Sequence, residues 1–103
     1  MACQFDVHRN LAGTHPPCLL VVQSDLLQGL GTVAVVPLVP AVALKNRPIR
    51  GLYPTFMVGG QPLVMLTAQI AGVSPTLLGE RVASLAEHRH EIIGALDIFI
   101  TGV

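Results

Sequence analysis

Apolar and polar residues alternate at the start of the chain. In Gln4-Phe5-Asp6-Val7-His8 a strand would turn Phe5 and Val7 to one face and Gln4, Asp6 and His8 to the other. The alternation then stops. The runs CLLVVQ (18–23) and VAVVPLV (33–39) are aliphatic and β-branched without a break, which predicts strands covered on both faces. Pro37 lies inside the second run and predicts a bulge or bend there. In TFMVGGQPLVML (55–66) two apolar runs flank Gly59-Gly60, the pair that tolerates positive φ in a hairpin turn. NLAGTHPP (10–17) reads as a connection, and LKNRPIRGLYP (44–54) as a basic connector carrying Lys45, Arg47 and Arg50.

Near the end the period changes. Ser84 and Glu87 have capping-box spacing, which predicts a helix beginning at Ser84. Leu85, Ile92, Leu96 and Phe99 then recur at helical spacing, with Glu87, His90, Glu91 and Asp97 largely off that stripe. Gly94 costs such a helix about 1 kcal/mol relative to alanine, so a close neighbour is expected beside it. Gly102 suits the residue just past the helix end. Several short strands and one late helix predict a small, mostly β barrel of the α+β class.

Composition narrows the function. At 103 residues one domain spanning 1–103 is expected. Hydrophobic residues make up 51 % and charged ones 12 %, more apolar surface than a lone copy hides easily, which suggests an oligomer. Six basic residues balance six acidic ones, so no net field draws the chain to nucleic acid or to an anionic membrane. No apolar run approaches the roughly 18 residues of a membrane span, and Asp6 falls where a signal peptide needs apolar residues, so a cytoplasmic location is expected. Cys3 and Cys18 are too few and too far apart for a disulfide framework or a zinc knuckle. His88 and His90 would stand about 200° apart on a helix and cannot share a metal. No paired acids, phosphate loop or nucleotide fingerprint is present, so neither a cofactor nor a catalytic group is expected.

An ordered set of segments resembles one family. These are the opening QF.V pattern, VQSDLL (22–27), VPL (36–38), LYP (52–54), VGGQ (58–61), LLGERVASL (77–85) and the final Gly-aliphatic pair. They are similar to the CcdB toxins, the partners of CcdA in bacterial toxin–antitoxin modules. The resemblance implies an SH3-like barrel of antiparallel strands, a small second sheet, a C-terminal α-helix and a two-fold homodimer. It also implies a non-enzymatic toxin whose C-termini enter the DNA gyrase A-subunit dimer and trap it on cleaved DNA. A CcdA-like antitoxin would reverse this with a segment that folds on binding.

The site residues carried over by resemblance fall into three groups. The tip is Thr101, Gly102 and Val103, where the family reads Trp-Gly-Ile; Ser24, Leu26 and Leu27 belong to the loop beside it; His90, Gly94 and Asp97 lie on the final helix. For Ser24, Leu26 and Leu27 a turn followed by core leucines is the competing reading. Asn10, Leu11 and His15 are the antitoxin-binding candidates, in a connection without the charged side chains common in the family. Threonine at 101 cannot stack on a guanidinium as an indole does, a contact of roughly 0.5–2 kcal/mol. A CcdB-like dimer with a changed or lost target therefore stays open. So does a MazF-like ribonuclease, for which residues 45–50 offer the one basic cluster while the neutral net charge argues against RNA affinity.

Overall fold

The computed structural model describes residues 2–43 and 51–102; Lys45, Arg47, Arg50 and the terminal Val103 lie outside the described residues. The two unbroken apolar runs form its centre. β1 (Asp6–Asn10), β2 (Cys18–Val21) and β3 (Val33–Pro40) pair antiparallel in chain order. β2 has no solvent face, as its sequence predicts. Cys18 and Leu20 join a main core with Phe5, Val7, Val36, Leu38 and Met65, while Leu19 and Val21 join a second core with Val33 and Val35.

β4 (Thr55–Val58), β5 (Gln61–Met65), β6 (Ala71–Val73) and β7 (Leu78–Ser84) complete one antiparallel sheet in the order β4-β5-β3-β2-β1-β7, with β6 also paired to β3. Gly59 and Gly60, at φ 59° and 81°, make the expected hairpin turn between β4 and β5. Pro37 causes no break in the register between β3 and β2. Instead β3 changes partners around it: residues 33–35 pair with β6 and residues 38–40 with β5. A proline lacks the N–H of a ladder, so it fits the fork, where its carbonyl accepts Leu66 N–H at 2.9 Å. The small second sheet is this branch, continuous with the main sheet through β3. β7, at the other edge, slips register twice against β1. Ala83 opposes Val7 and Arg81 opposes His8, leaving Val82 over, and a further residue is left over before Leu78 opposes Asn10. Such bulges blunt an edge strand against pairing with another chain.

The first strand departs from its pattern. Phe5 and Val7 do face the main core, but Asp6 and His8 are buried as well. Their face is covered by β7 and the segment before it, so each polar group needs a partner. Asp6 has Arg81 Nε at 3.0 Å and accepts Cys3 N–H at 3.3 Å, and His8 donates Nδ1–H to Gly79 O at 2.9 Å. The strand also begins at Asp6, because Phe5 sits at φ +72° as the third residue of a turn closed by Asp6 N–H to Cys3 O. A bulky side chain there costs about 1–3 kcal/mol. Hydrogen bonds from Phe5 N–H to Val21 O (2.7 Å) and from Leu85 N–H to Phe5 O (2.8 Å), together with the buried ring, hold it.

The helix begins later than the capping box predicts. Ser84 is the last residue of β7, opposite Asp6, and Leu85 is tied to Phe5, so the chain stays extended through this point. A single 3-10 turn (Ala86–His88) follows before α1 (Arg89–Thr101), and Ser84 Oγ accepts only Ala86 N–H at 3.3 Å. Glu87 is not a cap; its carboxylate stands 3.9 Å from His88 Nε2. The later start rotates the buried stripe. Ile92 and Ala95 are fully buried, Leu96 is half-buried, and Phe99 is 41 % exposed. Gly102 ends the helix as expected, at φ +80° with its N–H on Ile98 O at 2.9 Å.

Burial in the main core pushes the Cys18 thiol up from its ordinary value, against a smaller opposing pull from Arg9, whereas Cys3 is exposed. A thiolate is the reactive form. In the native protein near neutral pH, one thiol per chain should therefore react with an alkylating reagent, and mass mapping should find it at Cys3. Equal labelling of both would contradict the buried position of Cys18.

Denaturant unfolding checks the helix start. Ile92→Ala should cost about 2–5 kcal/mol by opening a cavity in the core. Ser84→Ala should cost about 0.5 kcal/mol or less, as for a surface change. Comparable losses would mean that Ser84 caps the helix after all.

Candidate functional site

Two surfaces collect the residues singled out by sequence. The first is α1 and its end. Thr101 donates its hydroxyl to Asp97 O at 2.7 Å, so its polar group is turned back on the helix. Around it Ile100 is 71 % exposed and Phe99 partly so. One turn further back, His90, Gly94 and Ile98 recur at i, i+4, i+8. With Glu91, Gly51 and Pro54 they line an open groove of about 390 Å³. A Cβ at Gly94 would meet nothing within 4 Å, so the glycine leaves a notch rather than a close packing contact. Asp97 is exposed and outside that lining. Val103 lies outside the described residues.

The second surface is the loop after β2. Ser24 Oγ accepts Leu26 N–H at 3.2 Å and starts a 3-10 turn over Asp25–Leu27. The turn is as expected, but its leucines are not core: Leu26 is 93 % exposed, and Leu27 and Leu30 are exposed beside it. Leu30 was not singled out by sequence. Its signal was there, in a third leucine on the short run QSDLLQGL, four residues after Leu26 and three after Leu27.

Within one chain the loop is tied to the chain start, and the tip is the far end of α1. The loop's ties to the rest of the chain include Gln4 and Ala2, at the chain start. There the Phe5 ring carries the Arg89 guanidinium at 5.5 Å, at the first residue of α1. Helical rise then puts Thr101 about 18 Å further along. No hydrogen bond or ion pair joins loop to tip among the described residues.

The antitoxin candidates divide. Asn10 is occupied with its own loop, donating Nδ2–H to Pro16 O at 2.9 Å and accepting Ala12 N–H at 3.0 Å. Leu11 and His15 are exposed. Leu11 lies over Gly79, where an added Cβ would meet its Cδ2 at 2.9 Å and Arg9 O at 3.1 Å.

His88 and His90 diverge: His88 Nδ1 meets Glu91 at 3.1 Å and its ring lies 5.0 Å from Phe56, while His90 lines the groove. Arg9 with Glu80 and Arg81 with Asp6 are side-chain pairs across β1 and β7. His8 Nε2 is buried without a hydrogen-bond partner, but away from the groove and the loop cavity described below. Among the described residues no group of three His, Cys, Asp or Glu side chains could hold a metal ion, and no helix is long and apolar enough to cross a membrane.

The architecture has solved counterparts. The chain is similar to an endoribonuclease in complex with its cognate antitoxin from Mycobacterial species, at 16 % identity and TM-score 0.76 over 97 % of this chain and 95 % of that one. It is also similar to the Mycobacterium tuberculosis toxin MazF-mt6, at 16 % identity and TM-score 0.69 over 89 % of this chain and 92 % of that one. At such identities these likenesses describe the fold. The family model described as CcdB protein matches residues 4–102, nearly the whole length. A curled antiparallel sheet with one late helix, read together with that match, places the chain plainly: it belongs to the CcdB family.

Proposed function

We propose that the chain is the toxin of a toxin–antitoxin module, a homodimer acting in the cytoplasm. On this reading it poisons DNA gyrase by binding the A subunit through the exposed end of α1, and a CcdA-like antitoxin neutralises it. The family match over residues 4–102 carries the reading. It is supported by apolar residues left outside the core at the places where a binder needs them, Leu26 and Leu27 on the loop and Phe99 and Ile100 at the helix end. An antitoxin partner is also in keeping with the similar endoribonuclease, whose structure holds its cognate antitoxin. The proposed action breaks no bond in the target.

A second reading, the same fold with a changed target, is favoured by one observation. Thr101 spends its hydroxyl on Asp97 O and offers a partner little more than a methyl group. Aromatic anchors often carry about 2 kcal/mol or more of an interface.

Binding to the A subunit separates the two readings. Removing Thr101–Val103 should abolish binding while leaving the unfolding midpoint nearly unchanged, because Ile92 and Ala95 keep the helix docked. Thr101→Trp should tighten binding roughly 2- to 30-fold by adding a stacking surface. A truncation that melts the protein, with no gain from tryptophan, would favour a structural tail and another target. Light scattering at micromolar concentration should give twice the chain mass, and a stable monomer would contradict the proposed dimer. RNA incubated with the purified chain should stay intact; its cleavage would replace the binding mechanism with a nuclease.

A further inference from the structure

The loop after β2 shows leucines to solvent, while most of its polar side chains make hydrogen bonds within the chain that fix its shape. Gln23 bridges Ala34 N–H (3.0 Å) and Leu27 O (2.9 Å), and Ser24 Oγ holds Leu26 N–H. Gln28 donates to Ala2 O (3.2 Å) and to Asp25 Oδ1 (3.3 Å). The same Asp25 oxygen accepts Gln4 N–H at 2.8 Å, the shortest of these bonds and one that crosses to another segment. That N–H is presented by the strained Cys3–Asp6 turn, with Phe5 at positive φ. Strain of this kind persists only where the surroundings over-determine it. Beside the loop's base lies a cavity of about 130 Å³, lined both by apolar side chains (Val21, Val33, Leu78) and by the loop's own polar ones (Gln23, Ser24, Gln28).

We infer that Asp25 is the positioning residue of this surface. Its carboxylate fastens the loop to the N-terminal turn and so keeps Leu26, Leu27 and Leu30 on display for the partner. This role rests on the reading above that the loop meets the gyrase A subunit. The partner face it fits is largely apolar, since three exposed leucines dominate this loop and Asp25 is its one charged group. Both donors to Asp25 need an acceptor oxygen but not a charge, so asparagine should serve in its place, and alanine should not.

The test compares the wild-type chain with Asp25→Ala and Asp25→Asn. Amide hydrogen exchange is read on the free protein, and binding is read against the gyrase A subunit. Asp25→Ala should speed exchange at Gln4 and in residues 26–28 by roughly five- to tenfold and weaken binding by a similar factor, with the global unfolding midpoint unchanged. Asp25→Asn should stay close to wild type in both. Unchanged exchange in Asp25→Ala overturns the inference, as does faster exchange with unchanged binding. So does an Asp25→Asn chain that keeps its protected amides but loses binding, since the charge would then touch the partner directly. A wild-type chain that does not bind the A subunit sinks the gyrase reading alone. The exchange comparison still upholds or overturns the hold of Asp25 on the loop.

Discussion

β2 leaves no face for water, and the rest of the molecule is arranged around covering it. A strand apolar on both sides is stable only between two layers, a requirement more usual in parallel sheets than in antiparallel ones. Here one side is covered by the β4–β5 hairpin and α1, through Phe56, Leu63, Met65 and Ile92. The other is covered by lighter means: Val73, Leu78 and Ala2, from the segments around β6 and β7 and from the chain start. The fork of β3 at Pro37 serves both needs, because it sends one strand pair to each side.

That arrangement decides what is left outside. Once the two cores are filled, the leucines of the 24–30 loop and the apolar residues at the end of α1 have no place within the chain. Both surfaces are held in shape by hydrogen bonds that consume local polar groups, Asp25 and Gln23 at the loop and Thr101 and Gly102 at the helix end. What remains on offer is rich in apolar side chains and pre-organised, which lowers the ordering cost of association. Such surfaces suit a protein that works by occupying another molecule.

Much of the fold was legible in sequence where burial alone decides it. The two aliphatic runs, the Gly59-Gly60 hairpin and the Gly102 helix end each follow from one local rule. The errors share a cause: a distant segment overrode a local signal. Asp6 and His8 read as solvent-facing because nothing in QFDVH announces that β7 and its bulges will cover them. The Ser84–Glu87 capping box is correct in spacing, but pairing of Ser84 with Asp6 and the bond from Leu85 to Phe5 keep that stretch extended. For the candidate surfaces the resemblance named the loop and the helix, while their exposure needed coordinates. The clasp between Gln4 and Asp25 spans 21 residues and has no signature in either segment.

On the proposed function the chain traps a type II topoisomerase on DNA. The most direct measurement is a cleavage assay with the gyrase of the same cell, supercoiled plasmid and ATP, ended with detergent and protease. Adding the purified chain should make linear DNA accumulate with dose, and the cognate antitoxin, added afterwards, should reverse it. Plasmid that stays uncut at saturating protein, with supercoiling activity intact, would contradict it.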